Sequence, residues 1–415
     1  MRSKIRLPRG SNSMPGPDFK QALYPEAGLI LQVARYVVSR DDPAEADRLI
    51  KYSNIRWEEF NRLIFYHELF SYGYAFFREL SEALPKEEAK LLSDKYYECV
   101  SYSFCLIEEF KRIAGMCNEQ EIMCVPLKGT AFLMDNMYAE KSYLRPMGDI
   151  DILVRKADFP LVEAKMESLG YEKDPVGLKE GYWKNKGYHL GFRRQGDDGF
   201  SYLVEVHWAL DYPRNRSMVS SLWERIHKVN VEGLPVCFLS PEDTLFSLAL
   251  HQRRFGKMLC LKNSCDVAFL IGKYGSGLDW DYLLQEADAG EMRLTLYCML
   301  MQAKILLDTP IPFFVLKELK VPGYKRWLIK QFILRYAFAY GLGLPGSKIN
   351  IKSLYLKNHF LIYDTIWEPF IAALNAPKEQ FSKFYGLDAY NEKTALLYFL
   401  RFFYIPLKSM LVWLR

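Results

Sequence analysis

The 415-residue chain has no Cys-x-x-Cys pair, no run of eighteen uninterrupted apolar residues and no internal repeat. Its eight cysteines are scattered; the closest spacings are Cys260/Cys265 and Cys99/Cys105. That scatter excludes a clustered zinc site. Without a secretory leader, the cysteines read as reduced and mostly buried thiols. The first twenty residues carry positive charge but no apolar h-region, which excludes a signal peptide and sets a cytoplasmic expectation. Residues 7–11, LPRGS, resemble a cloning remnant, so the native start is expected at Met14. The most apolar tail segment, Ala395–Leu414, is broken by Arg401, Pro406 and Lys408. It cannot span a bilayer, though it can lie on one, so a peripheral membrane position is kept open.

What is present is a composition for a large core. Half the residues are apolar, 15% are aromatic and 25% are charged, which excludes wholesale disorder. The length predicts two or three domains of about 100–200 residues each. The net charge of +5 is unevenly placed: residues 321–415 hold 13 Lys/Arg against 5 Asp/Glu, together with 21 aromatics, and the rest is slightly acidic. Basic plus aromatic points to an anionic membrane surface or a nucleic acid as the tail's partner. A core-rich helical segment with a solvated basic face is the plainer reading.

Periodicity divides the chain. From Pro25 to Gln120 apolar residues recur at helical spacing, with a break at Asp42-Pro43 and a long helix from about Lys86. Ile122–Leu127 reads as a strand, Lys128-Gly129-Thr130 opens a helix to about Tyr138, and Asp149–Val154 is a second strand. A helix at Phe159–Leu169 and strands at Tyr188–Arg194 and Ser201–Trp208 complete an α/β unit. Ser240-Pro241-Glu242-Asp243 is a helix start, and helices near 242–255, 260–273, 279–287, 290–307 and 311–318 follow. The expected layout is an N-terminal segment 1–20 that is flexible, a helical domain 21–120, an α/β domain 121–239, a helical domain 240–340, and a linker with a basic aromatic helical tail at 341–415.

The chemistry concentrates in residues 125–154 and in one later strand. Asp149 and Asp151, two apart on a strand, project from one face. Two such anions repel, and a divalent cation relieves them. Glu205 lies between Val204 and Val206 on a later strand, where an unpaired carboxylate is costly. Three converging carboxylates are the components of a metal-assisted phosphoryl-transfer site. At Lys128-Gly129-Thr130 a glycine permits close backbone approach to a phosphate and lysine adds charge. Arg145 and the Pro146-Met147-Gly148 turn stand just before the acidic strand.

In this order of elements the chain resembles the DNA polymerase β-like nucleotidyltransferase superfamily. It is most similar to a bacterial family of uncharacterised nucleotidyltransferases. The resemblance rests on Leu127-Lys128-Gly129, Arg145-Pro146, Asp149–Val154, Glu205–Trp208 and Ser240–His251, and covers about residues 25–310. It implies an α+β fold: a small mixed-sheet nucleotidyltransferase (polymerase β-like) domain flanked by N- and C-terminal helical domains. It also implies Mg²⁺, with Mn²⁺ an alternative, at Asp149, Asp151 and Glu205. Lys128, Gly129, Thr130, Arg145 and Gly148 would bind ATP or another nucleoside triphosphate. Nucleotidyl transfer to a hydroxyl acceptor (a small molecule, a peptide or a protein) would release pyrophosphate. The chain departs from the wider superfamily in having Gly129-Thr130 for the usual Gly-Ser and a longer gap to Asp149.

His207 shares the face of Glu205, and His251 with Arg253, Arg254 and Lys257 offers positive charge from a helix; both histidines are accessory candidates. Gly341, Gly343 and Gly346 spell GxGxxG, but no βαβ unit surrounds them, so they read as a linker. Two rival functions are a DxD-type metal-dependent glycosyltransferase, which leaves Lys128 and Glu205 without a role, and a non-catalytic binding or regulatory module.

Overall fold

The computed structural model describes residues 24–39, 44–80, 84–138, 144–174, 187–197, 199–211, 220–255, 259–338, 357–358, 360–365, 367–368, 371, 378, 381–382 and 391–413. The expected segment 1–20, the Asp42-Pro43 break, Lys257, the side chain of Arg254 and the 341–346 glycines lie outside the description.

A five-stranded mixed sheet of order β1-β2-β5-β4-β3 is formed by β1 (Val125–Pro126), β2 (Ile150–Leu153), β3 (Glu172–Lys173), β4 (His189–Gln195) and β5 (Ser201–His207). The central pair, β2 and β5, is parallel; the other neighbours are antiparallel. All four residues of β2 are buried, as expected of a central strand covered on both faces. In the β4–β5 hairpin, Phe192 faces Val204 and Leu190 faces Val206, the inward set of a period-two pattern. The strand expected over Ile122–Leu127 narrows to Val125–Pro126. Ile122 is still closing the preceding helix, its N–H donating to Cys117 O.

The N-terminal helices are α1 (Pro25–Ser39), α2 (Ala44–Tyr52), α3 (Trp57–Tyr66), α4 (Phe70–Glu79) and α5 (Lys86–Glu119). Within the sheet region are α6 (Lys128–Met134), α7 (Phe159–Ser168) and α8 (Ser220–Glu224). The chain continues with α9 (Pro241–Phe255), α10 (Leu261–Tyr274), α11 (Trp280–Ala289), α12 (Arg293–Leu307), α13 (Phe313–Glu318), α14 (Gly323–Tyr336) and α15 (Glu392–Trp413). The α9 start has a physical cause. Ser240 Oγ accepts the Asp243 N–H at 3.1 Å and donates to Asp243 Oδ2 at 2.7 Å, so the serine side chain caps the helix start. α6 stops at Met134, short of Tyr138, because Asn136 turns left-handed at φ 48° and Met137 N–H reaches back to Phe132 O. A two-stranded ladder that the sequence pattern did not announce, β6 (His227–Val231) with β7 (Leu234–Phe238), turns at Glu232-Gly233, both at positive φ.

Packing joins what the sequence divided. Helices expected as two separate flanking domains share one core, in which Leu29, Ile30 and Phe60 cluster with Leu245, Leu270 and Leu300. A second core backs the sheet: Leu106, Phe110 and Ile113 pack with Ile150, Ile152, Val204 and Val206. The 34-residue α5 belongs to both, entering the first at Leu92 and the second from Leu106 onward. At about 25 cal/mol per Å² of apolar surface removed from water, such shared burial holds the sheet against the helices. Seven of the eight free cysteines are buried and Cys105 is half-buried, in keeping with the reading of reduced core thiols.

Candidate active site

The parallel register of β2 and β5 sets Asp151 beside Glu205 and Leu153 beside His207. Side chains of paired residues share a face, and so do residues two apart on one strand, so Asp151, Glu205 and His207 must converge. Their ligand-capable atoms lie within 4.8 Å of one another. His207 Nε2 is 2.9 Å from Asp151 Oδ1 and 3.3 Å from Glu205 Oε2. Asp149 precedes β2 by one residue, is half-buried, and by the same alternation belongs to this face. The geometric triad thus contains His207, expected only as an accessory.

A cation is already seated there. Lys128, the first residue of α6, has an unusual φ of 48°, and its Nζ donates to Asp151 Oδ1 at 2.6 Å and stands 3.8 Å from Glu205 Oε2. β4 adds His189, whose Nε2 is 3.7 Å from Glu205 Oε1 and whose ring stacks on His207 with centroids 4.9 Å apart. Sequence reading missed His189 as a site residue. Its one available signal was an outward position on β4 opposite His207, which needs the strand register to interpret.

Electrostatics separates the two aspartates. Burial pushes the Asp149 carboxyl from an ordinary value of 3.8 up to about 7, helped by the charges of Asp151 and Glu205 and opposed by Lys128. Burial acts on Asp151 in the same sense, yet the Lys128 ammonium and the His207 hydrogen bond outweigh it and hold that carboxyl well below the usual range. The donor set is mostly carboxylate oxygen, which suits a hard divalent cation such as Mg²⁺ or Mn²⁺; the imidazole favours the softer end of that pair.

Other expected ligands are placed elsewhere. Arg145 is buried, with Nε and Nη2 on Asp266 Oδ1 and Oδ2 at 2.8 and 2.9 Å and Nη1 donating to Pro146 O at 3.3 Å. The structure thus places its donors on Asp266 and Pro146, in an ion pair apart from the carboxylate cluster. Gly129 is needed for a different close approach: a Cβ there would lie 2.4 Å from Arg145 Nη1 and 2.8 Å from Met147 Cγ. Thr130 is fully buried, its hydroxyl facing Met147 Sδ at 3.8 Å. Gly148 is exposed at the turn before Asp149, with open space around its Cα. On α9, Arg253 is buried against Asp211 at 2.5 Å, and His251 is not among the converging ligand atoms.

The model of a protein family described as "Uncharacterised nucleotidyltransferase" matches residues 53–308, more than half of the chain, and the chain belongs to that family. The match contains every residue of the carboxylate cluster and stops before α13 to α15. No curated protein and no solved structure matches the chain. Membership supports a role in nucleotidyl transfer and, with the Asp151–Glu205–His207 group, the capacity to hold a metal.

Proposed function

From that membership we propose that the protein transfers a nucleoside monophosphate from a nucleoside triphosphate to a hydroxyl acceptor and releases pyrophosphate. The observation that carries this reading is the parallel β2–β5 register. It sets Asp151, Glu205 and His207 together, with Lys128 bonded to Asp151 and near Glu205, and Asp149 two residues before Asp151. Three carboxylates against one ammonium leave an excess of negative charge that a divalent cation would balance.

Asp149, Asp151 and Glu205 are the proposed metal ligands, with His207 in reach as a further donor. When bound, the cation supplies a lowered hydroxyl pKa and neutralises charge developing on the phosphates. Glu205, the more exposed of the two paired carboxylates, is proposed to orient the acceptor hydroxyl and take its proton as the new O–P bond forms and the bond to pyrophosphate breaks. Lys128 is proposed to offer its ammonium to the triphosphate, and the exposed turn at Gly148 leaves room for it. The acceptor is proposed to lie between the sheet and the helical body.

The test is a thermal-shift titration with ATP, GTP, CTP and UTP, with and without Mg²⁺, on wild type and Asp151→Asn. The expected result is Mg²⁺-dependent stabilisation by at least one triphosphate, lost in the variant that lacks one of the proposed ligand carboxylates. Silence with every triphosphate under Mg²⁺ or Mn²⁺, alongside a response to a sugar nucleotide, would sink the reading.

A further inference from the structure

Among its described side chains, α15 buries polar groups and exposes apolar ones. Its inward positions are Thr394 and Arg401, both buried, and the half-buried Tyr398, spaced as one helical face. Arg401 donates to Tyr398 O, its guanidinium lies 3.6 Å from the centre of the Tyr398 ring, and Phe381 meets that ring edge-on. The outward positions include Leu396, Phe399, Leu400, Phe402, Phe403 and Leu407, with Phe399 64% and Phe403 71% exposed. A helix in water orders itself the other way round, burying leucine and phenylalanine and exposing arginine. An apolar face of this extent marks a binding surface.

Charge identifies the occupant. Within α15 the ionisable side chains are Glu392, Lys393, the buried Arg401 and Lys408, and residues 321–415 carry 13 basic against 5 acidic groups. A second copy of the chain on this face would bring two tails of net positive charge together. A nucleic acid would match the charge, but it has no partner for exposed leucines. An anionic bilayer matches both, taking the apolar side chains into the acyl boundary and the basic groups at its headgroups. Among the described residues no helix is long and apolar enough to cross a membrane, so α15 would lie in the interface.

We infer that α15 is a surface anchor that docks the protein on an anionic lipid bilayer. It lies outside the family match at 53–308 and stands independently of the proposed chemistry. The test is co-sedimentation of the full chain with phosphatidylcholine vesicles, with and without phosphatidylglycerol. Wild type is expected to partition onto the phosphatidylglycerol vesicles, and Phe399→Asp with Phe403→Asp to partition about tenfold less or weaker, these side chains being exposed and removable without loss of a core contact. Lys393→Glu with Lys408→Glu, folded by circular dichroism, is expected to lose the preference for phosphatidylglycerol. The inference is overturned if wild type stays in the supernatant, if either variant binds as wild type does, or if the phenylalanine variant instead converts a dimer to a monomer. Preference for an oligonucleotide over the vesicles overturns it as well.

Discussion

Arg145 and Asp149 stand four residues apart, yet they enter two charge clusters with different balances. Arg145 meets one carboxylate, Asp266, whose Oδ1 also accepts the Tyr138 hydroxyl at 2.5 Å, and Tyr138 in turn accepts the Tyr72 hydroxyl at 3.0 Å. One cation, one anion and two hydroxyls, all buried, leave no charge over. Asp151 and Glu205 share the ammonium of Lys128, Asp149 stands two residues before Asp151, and there the carboxylates outnumber the lysine. A cluster that only holds structure closes its own charges; one left open at a strand end is prepared for a charge from outside.

Breaking the closed cluster should have the largest effect. Arg145→Met leaves Asp266 buried without its partner and is expected to cost about 3–5 kcal/mol, read from denaturant unfolding. The double variant with Asp266→Leu should recover most of that loss, since two apolar side chains carry no stranded charge. If the double variant is no more stable than the single one, the pair is not a balanced unit. Gly129→Ala comes next. Its methyl would force Arg145 and Met147 apart, and an overpacking cost of about 1–3 kcal/mol is expected, with the melting temperature as readout.

A pH-dependent effect sharpens the open side. Folded Asp149 keeps its proton up to about 7 against an ordinary 3.8, so between those values the folded chain binds more protons than the unfolded chain. Stability therefore falls as the pH rises through that window. Asp149→Asn removes this fall. In metal-free protein at about pH 8 the variant should melt about 2–4 °C above wild type, and the gap should close as the pH is lowered towards about 4. Mg²⁺ should raise wild type alone. A variant that melts lower at high pH would mean the cluster carries no excess charge.

Local patterns were legible wherever one residue's neighbours decide its state. Ser240-Pro241-Glu242-Asp243 caps α9 as expected, the long helix runs Lys86–Glu119, and the acidic strand holds at Ile150–Leu153. Asp151 and Glu205 converge as their strands suggested. What depends on distant partners was not legible. Arg145 beside Pro146 reads as a free cation until Asp266, far along the chain, comes to meet it. Gly129 reads as a phosphate turn until Met147 packs onto it. His207 and His189 gain their place from a parallel register on one side and an antiparallel one on the other, which alternation within a single strand does not encode. The β6–β7 hairpin hid in a segment where β6 is largely solvent-exposed, so it lacks the apolar alternation that announces a buried strand.

Lys128 is held in a left-handed conformation with its ammonium 2.6 Å from Asp151, and on the proposed chemistry that would make loading of the site an exchange. A divalent cation at Asp151 Oδ1 would compete with the lysine, and a displaced ammonium would need another anion. On the proposed chemistry the triphosphate is that anion. Each ligand would then remove part of the other's cost, and by linkage the two affinities must rise together by the same factor. The protein would be a poor chelator and a poor nucleotide binder taken singly, and a good binder of the pair.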